Sequence, residues 1–329
     1  MSGGHIVGAF AAGDGSRRWD TEVGGALNPF IEPAVDTRSV LVSAGDRFVL
    51  LDRANGGVLW EAPAGGDATG VALVASGRDA TVAVTEVGRG ELTGRDASTG
   101  ALRWTVAREG RLDTHPAGDA TTATVVAVWQ AAGVATVRAI DVASGAPRWE
   151  QRVEALAASP VVAGHVVVIA AGDGDYGASV RALRLADGAL RWRTPVPGSF
   201  EPDQVPGVDT TRGHAVVGVQ DHLGNVSLLD LATGVVRWRV DTRVPALGGR
   251  VLLTAQHVVV RNEGQQLVIL DRARGRILGR RSDPAGLPEG IDSVGDRVFV
   301  GWRRTDPGRI DALEIEIPGA AGGKNHPEP

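Results

Sequence analysis

The chain has 329 residues, no cysteine and a formal net charge of −5 at pH 7. The acidic balance argues against nucleic-acid binding, because nucleic-acid binders use a basic face to displace counterions. The lack of cysteine excludes disulfides, thiolate metal sites and a cysteine nucleophile. The length exceeds that of a usual single hydrophobic core, so it predicts either two domains or a repeat array.

The sequence shows neither a candidate transmembrane segment nor a signal peptide. The longest apolar stretch, Val161–Ala171, is too short to cross a bilayer and is interrupted by Gly164 and His165. The first residues lack a basic start followed by a long apolar run. As written, the chain is not expected to be exported by a standard route.

The predicted elements are short strands throughout, since no window has a sustained helical period of apolar residues. Two strands are predicted first, at His5–Ala11 and Arg17–Val23. Six repeats of four strands each follow, and three last strands are predicted around Ile291, at Arg297–Arg303 and at Arg309–Ile317. Residues 1–318 are predicted to form one domain and residues 319–329 a disordered tail.

A repeated motif accounts for the high tryptophan content, which is 8 Trp against 5 Phe and 1 Tyr. A glycine stands four residues before each motif tryptophan, and the tryptophan positions lie 41 to 46 residues apart. This period indicates a solenoid, a propeller or an array. The motif residues are Gly15 and Trp19, Gly56 and Trp60, Gly100 and Trp104, Gly145 and Trp149, Gly188 and Trp192, Gly234 and Trp238, and lastly Gly275, where Gly279 takes the tryptophan position.

The residue types of the motif are those expected of a hairpin between two strands. A Thr-Gly, Ser-Gly, Asp-Gly or Asn-Gly pair is typical of a tight turn, in which glycine adopts a positive φ. The Asp that precedes most of the turns can accept backbone N–H groups of the turn. The tryptophan offers a large apolar plate to a neighbouring repeat. Alternating strands on either side of each turn favour four-stranded blades of an all-β propeller.

The pattern Asp-x-x-Thr-Gly-x-x-x-Trp, repeated about every 43 residues from His5 to Ile317, resembles the pyrroloquinoline-quinone (PQQ) type of β-propeller repeat. That resemblance implies four-stranded blades in which each tryptophan docks on the next blade. We expect seven blades, with the N- and C-terminal strands meeting in one composite blade that closes the ring. The alternative is a truncated ring of eight blades, as in the quinoprotein dehydrogenases of this family.

The resemblance leaves function open, because the same propeller carries enzymes and scaffolds. The dehydrogenases of the family use adjacent cysteines, a Trp floor, Ca²⁺ and a catalytic Asp, and no such set can be assigned here. We therefore predict no catalytic residue and expect neither PQQ nor Ca²⁺. The favoured function is a non-catalytic, monomeric scaffold that binds a protein partner or a small ligand. It would lie in the cell envelope if an upstream leader is missing.

Two alternatives to the scaffold stay open. One is a degenerate quinoprotein-type oxidoreductase, or another enzyme, with its site in the central funnel. The other is a degenerate copy without independent function.

Three features outside the motif have a functional interpretation. Asp173 and Asp175, one residue apart in a glycine-containing loop, could hold a hard cation, although the full Ca²⁺-binding loop is absent and a solvated loop is the plainer interpretation. Trp129 and Trp302 fall outside the repeat register, at matching places late in an apolar strand. They are interpreted either as core residues or as aromatic anchors for a partner.

Overall fold

The computed structural model describes residues 5–27, 31–64, 68–75, 81–87, 90–107, 109–111, 114–119, 122–153, 158–172, 177–200, 204–210, 216–246, 248–264, 266–282, 287–294, 297–303 and 309–314. Within these ranges the regular structure is all β, as the sequence predicts, and no helix could cross a membrane. The predicted tail, residues 319–329, lies outside the described residues.

Six sheets each contain four antiparallel strands in chain order. Sheet 1 has β3 (Ala34–Val35), β4 (Ser39–Ala44), β5 (Arg47–Asp52) and β6 (Val58–Pro63). Sheet 2 has β7 (Ala68–Ala75), β8 (Thr81–Val87), β9 (Glu91–Asp96) and β10 (Leu102–Ala107). Sheet 3 has β11 (Ala117–Asp119), β12 (Thr124–Ala131), β13 (Val134–Asp141) and β14 (Pro147–Val153).

The second half of the chain repeats this arrangement. Sheet 4 has β15 (Val161–Ala163), β16 (Val166–Gly172), β17 (Ala178–Arg184) and β18 (Leu190–Val196). Sheet 5 has β20 (Gly207–Asp209), β21 (Val216–Gln220), β22 (Asn225–Asp230) and β23 (Val236–Asp241). Sheet 6 has β25 (Leu252–Leu253), β26 (His257–Asn262), β27 (Gln266–Asp271) and β28 (Ile277–Arg281).

The remaining strands lie at the two ends of the chain and in the links between sheets. The N-terminal hairpin pairs β1 (His5–Phe10) with β2 (Arg17–Val23). Sheet 7 has three strands, β29 (Leu287–Val294), β30 (Arg297–Arg303) and β31 (Arg309–Glu314). A short parallel pair joins β19 (Gln204–Val205) to β24 (Gly249–Arg250).

Burial along the strands follows their place in the sheet. The second strand of sheet 3, β12, is buried at every residue but the last, because a neighbouring sheet covers each face. The fourth strand, β14, alternates and buries only Trp149 and Val153. Its remaining residues face solvent and carry Arg, Glu and Gln, which protects an open strand edge from pairing with another chain.

Consecutive sheets pack face to face through aliphatic clusters. Val126 and Val128 of sheet 3, for example, share a buried cluster with Val167 and Ile169 of sheet 4. The first strand of each sheet contacts the first strand of the next sheet, from sheet 1 to sheet 7, and these strands surround a central channel. This arrangement is a β-propeller, so the predicted fold class is confirmed, whereas the number of blades stays a prediction.

The two ends of the chain do not share a sheet among the described strand pairs. The N-terminal hairpin and sheet 7 are separate, in contrast to the composite blade expected from sequence. The physical reason is that β31 already pairs with β30 and so occupies the third place of sheet 7. Strand β1 also precedes a motif turn, as third strands do, and would need the same place. The ends nevertheless meet, because Arg297 donates hydrogen bonds to the N-terminal turn.

Because successive strands alternate in direction, the turns fall at two ends of the propeller. The motif face carries the turns between third and fourth strands, where the repeated glycines lie. The connector face carries the links from one sheet to the next, such as residues 158–160, 204–206 and 248–251, together with the turns between second and third strands.

Candidate functional site

The motif turns have one geometry in all seven copies. Their glycines have φ between +71° and +76°, a conformation that residues with a side chain rarely adopt. In sheet 3 the turn is held by Asp141, whose Oδ1 accepts the backbone N–H groups of Ala143 and Ser144 at 3.1 and 3.0 Å. The chain folds sharply here because the aspartate and the glycine satisfy the turn locally.

Each motif tryptophan covers the next turn along the chain. We call the position eight residues before the motif tryptophan, usually an Asp, the first motif position. The indole Nε1–H donates to the carbonyl of the residue that directly follows the first motif position of the next turn, at 2.6 to 2.9 Å. A Cβ added to Gly145 would lie 2.8 Å from Cγ of Trp104, so the glycine is also required for this contact. The donor and acceptor pairs are Trp19 with Arg53, Trp60 with Ala97, Trp104 with Val142, Trp149 with Leu185, Trp192 with Leu231, and Trp238 with Arg272.

The structure adds an ion pair that the sequence reasoning missed. Arg148 and Arg237 pair with the first motif aspartates of their turns, Asp141 and Asp230, at 2.7 and 2.8 Å. The Arg237 guanidinium lowers the pKa of Asp230 to about 2. The signal was present in the sequence as an arginine directly before the motif tryptophan, seven residues after the aspartate.

Trp129 is a core residue and not a surface anchor. It is 1% exposed, its Nε1–H donates to the carbonyl of Gly90 at 2.9 Å, and the Arg138 guanidinium carbon lies 5.7 Å from the ring centroid. An indole enclosed in this way has no face for a partner, so the anchor interpretation of Trp129 is wrong. The backbone of Trp302 pairs within sheet 7, but its side chain lies outside the described part of the chain.

The loop that would carry a cation, with Asp173 and Asp175, also lies outside the described residues. In the part of the chain that the structure describes, no three His, Asp or Glu side chains come together as a metal site. The candidate cation site therefore stays a sequence prediction.

The central channel is a cavity with a volume of about 910 Å³. Its wall comes from the first strands and is largely apolar, with Val71, Val162 and Leu252 as examples. Polar groups mark its connector end. There Glu32 and Arg250, from opposite halves of the sequence, form an ion pair at 3.1 Å with both side chains about half exposed.

The wall residues that the structure describes offer few of the groups that a Ca²⁺-held quinone uses. Among the described wall residues the carboxylates are Glu32, which already faces Arg250, and Asp292, and the aromatic ring is that of Phe299. A hard cation prefers six to eight oxygen ligands, and a planar quinone needs a flat aromatic floor.

The connector face is joined from sheet to sheet by hydrogen bonds. The backbone N–H of His115 donates to Oγ of Ser159 at 2.9 Å, and the N–H of Ser159 donates to the carbonyl of Gln204 at 3.0 Å. The parallel pair β19–β24 and the bond from Val251 to Val205 continue the series. The links before sheets 3 to 6 thus form one connected rim around the channel mouth.

A buried aspartate closes a turn beside this rim. Asp221 is 2% exposed, and its Oδ1 accepts the N–H of Asn225 at 2.9 Å. Burial raises the pKa of Asp221, because the charged carboxylate loses its hydration. Leu223, in the same turn, points outward and is 58% exposed. The rim therefore combines a fixed backbone with an exposed apolar side chain.

Solved structures share this fold at low sequence identity. BamB from Moraxella catarrhalis superposes with a TM-score of 0.67 at 18% identity, over 100% of this chain and 94% of that one. The dihydro-heme d1 dehydrogenase NirN superposes at 0.72 and 16%, over 95% and 71% of the two chains. The quinohemoprotein alcohol dehydrogenase ADHIIG from Pseudomonas putida HK5 superposes at 0.65 and 15%, over 87% and 65%.

A search of curated proteins gives no match. The family model PQQ_2, described as outer membrane protein assembly factor BamB, matches residues 3–123, 68–222 and 222–301. These matches span most of the sequence and include all seven motif turns and the six indoles that cover turns. The chain therefore belongs to the PQQ_2 family of β-propellers.

Proposed function

We propose that this propeller is a non-catalytic binding protein that presents its connector face to a protein partner. The observation that carries the proposal is the hydrogen-bonded rim formed by Ser159, Gln204 and Val251 around the channel mouth. A surface that is rigid before binding loses little conformational entropy on association, which favours recognition of another folded protein.

The side chains around the rim also support binding of a protein partner. Leu223 stands exposed beside it, and Glu32 and Arg250 lie half exposed at the channel mouth. Exposed apolar side chains together with charged groups are the usual composition of a protein interface. Among the similar structures, BamB is named an assembly factor, and an outer-membrane assembly factor has its partners in the cell envelope. An envelope location is therefore part of the proposal.

Two exposed leucines allow a matched experiment. Leu223 on the connector face and Leu190 at the motif end of β18 are each 58% exposed. Wild type, Leu223→Arg and Leu190→Arg serve as immobilised baits for a detergent extract of the source cell envelope, with quantitative mass spectrometry. The proposal predicts at least one protein retained by wild type and by Leu190→Arg but reduced fivefold or more by Leu223→Arg. Retention that is equal on all three baits would refute it.

A second candidate function is binding of a small molecule in the central channel. The observation that favours it is the apolar volume of about 910 Å³ with Arg250 at its mouth, since ligand sites combine apolar walls with a few polar groups. Thermal shift measurements against quinones with Ca²⁺, followed by an alcohol and sugar oxidation assay, test this candidate. Oxidation by the loaded protein would replace the scaffold proposal with the oxidoreductase alternative.

A further inference from the structure

The seventh motif turn lacks its tryptophan. In six turns the carbonyl directly after the first motif position accepts an indole N–H from the preceding sheet. In the N-terminal turn, which begins at Ala11 and contains Gly15, the corresponding acceptor is the carbonyl of Ala12. The tryptophan position of sheet 6, which would supply the seventh indole, is occupied by Gly279.

The space of the missing indole is open on both sides. A Cβ added to Gly15 or to Gly279 would meet no heavy atom within 4 Å. At each of the other six motif glycines an added Cβ would come within 3.0 Å of the covering indole. The turn and the vacant tryptophan position thus have complementary gaps.

An arginine takes the free carbonyl instead. Nη1 of Arg297, the first residue of β30, donates to the carbonyl of Ala12 at 2.8 Å and to that of Gly13 at 3.1 Å. The carbonyl of Ala12 is at the same acceptor position that an indole uses in each of the other six motif turns. A guanidinium has five donors, so it can bond two carbonyls at once where an indole bonds one.

A second set of bonds shows that this contact joins the correct neighbours. The residue whose carbonyl accepts the indole also has a backbone N–H. In sheets 1, 3, 4 and 6 this N–H donates to a carbonyl in the turn between the first and second strands of the same sheet, at 2.9 to 3.0 Å. A motif turn therefore lies beside the first turn of the sheet to which it belongs. Arg297 is the first residue of β30, so its bonds bring the N-terminal turn beside the start of the second strand of sheet 7, much as other motif turns lie beside the first turn of their own sheet. The four bonds run from Arg53 to Arg38, Val142 to Ala123, Leu185 to His165, and Arg272 to Gln256.

We propose that Arg297 closes the propeller at the junction of its two chain ends by replacing the tryptophan that is missing at position 279. Its guanidinium fastens the N-terminal hairpin to sheet 7 by side-chain hydrogen bonds, although the hairpin remains a separate sheet. This role is independent of the proposed partner and of any ligand in the channel.

The test is amide hydrogen exchange of residues 5–23, measured by mass spectrometry. Arg297→Ala is expected to raise exchange in this hairpin about tenfold, because it removes a charged donor from two carbonyls. Arg281→Ala is the control, since Arg281 is an exposed arginine of the adjacent β28, and it is expected to leave the hairpin unchanged. Hairpin exchange within twofold of wild type in Arg297→Ala would overturn the proposal.

A second variant tests the replacement itself. Gly279→Trp combined with Arg297→Ala is expected to return hairpin exchange to within about twofold of wild type, because the new indole can donate to Ala12. A folded double variant without this recovery would show that position 279 does not face the N-terminal turn and would overturn the replacement. If Arg297→Ala does not fold, Arg297→Lys, which keeps the charge but replaces the planar guanidinium by a strongly hydrated ammonium, is expected to raise hairpin exchange about threefold, and no change would count against the proposal.

Discussion

Two glycines of sheet 3 separate the cost of a strained turn from the cost of displacing an indole. Gly133 and Gly145 have φ of +78° and +74°, so alanine at either position has the same backbone cost, about 1–2 kcal/mol. A Cβ at Gly133 meets no atom within 4 Å, whereas a Cβ at Gly145 lies 2.8 Å from Trp104. Gly145→Ala must therefore also move the indole, at about 1–3 kcal/mol for overpacking.

Movement of the indole also weakens the hydrogen bond from Trp104 to Val142, now 2.7 Å, which adds about 1 kcal/mol. We expect Gly145→Ala to be less stable than Gly133→Ala by about 2–4 kcal/mol. At roughly 2 °C per kcal/mol for a chain of this size, the difference in Tm is roughly 4–8 °C. Thermal unfolding followed by near-ultraviolet circular dichroism measures it. Equal Tm values for the two variants would refute the contact between turn and indole.

Other substitutions test other parts of the structure. Trp149→Phe keeps an aromatic plate but leaves a buried carbonyl without its donor, so denaturant unfolding should show a loss of about 1–3 kcal/mol. The pKa of Asp230 is lowered in the folded state, so its contribution is present above pH 4 and is lost as the pH falls through about 2; the stability difference between wild type and Asp230→Asn should shrink over that range. The pKa of Asp221 is raised, so the opposite sign applies: wild type should lose stability relative to Asp221→Asn as the pH rises above 4. Arg272 pairs with Asp209 at 2.6 Å between neighbouring sheets, both side chains being largely buried, and Arg272→Met should lower the free energy of unfolding by about 3 kcal/mol in the same assay.

The parts of the fold that could be predicted are those that depend on particular residue types recurring at a fixed spacing. Asp141 and Gly145 define a turn by their own chemistry, and the tryptophan spacing defines the repeat. The partner of each indole could not be predicted, because it is a backbone carbonyl, and residues as different as Arg53, Val142 and Leu185 supply it.

The site was less accessible to sequence reasoning than the fold. Glu32 and Arg250 lie in opposite halves of the chain and meet only because the ring brings its two ends together. Nothing in either local sequence marks them. Trp129 had two interpretations because an apolar strand position is compatible with a core or with an edge, and only the packing of sheet 3 against its neighbours distinguishes these.

The contact between one tryptophan and the following turn has an evolutionary consequence. The six junctions from the N-terminal hairpin to sheet 6 use the same donor, the same acceptor position and the same glycine. A gene duplication or deletion that adds or removes one whole repeat would therefore create no new kind of junction. Propellers of different size can arise from this repeat in single steps, and the only part that must be redesigned is the junction where the two ends of the chain meet.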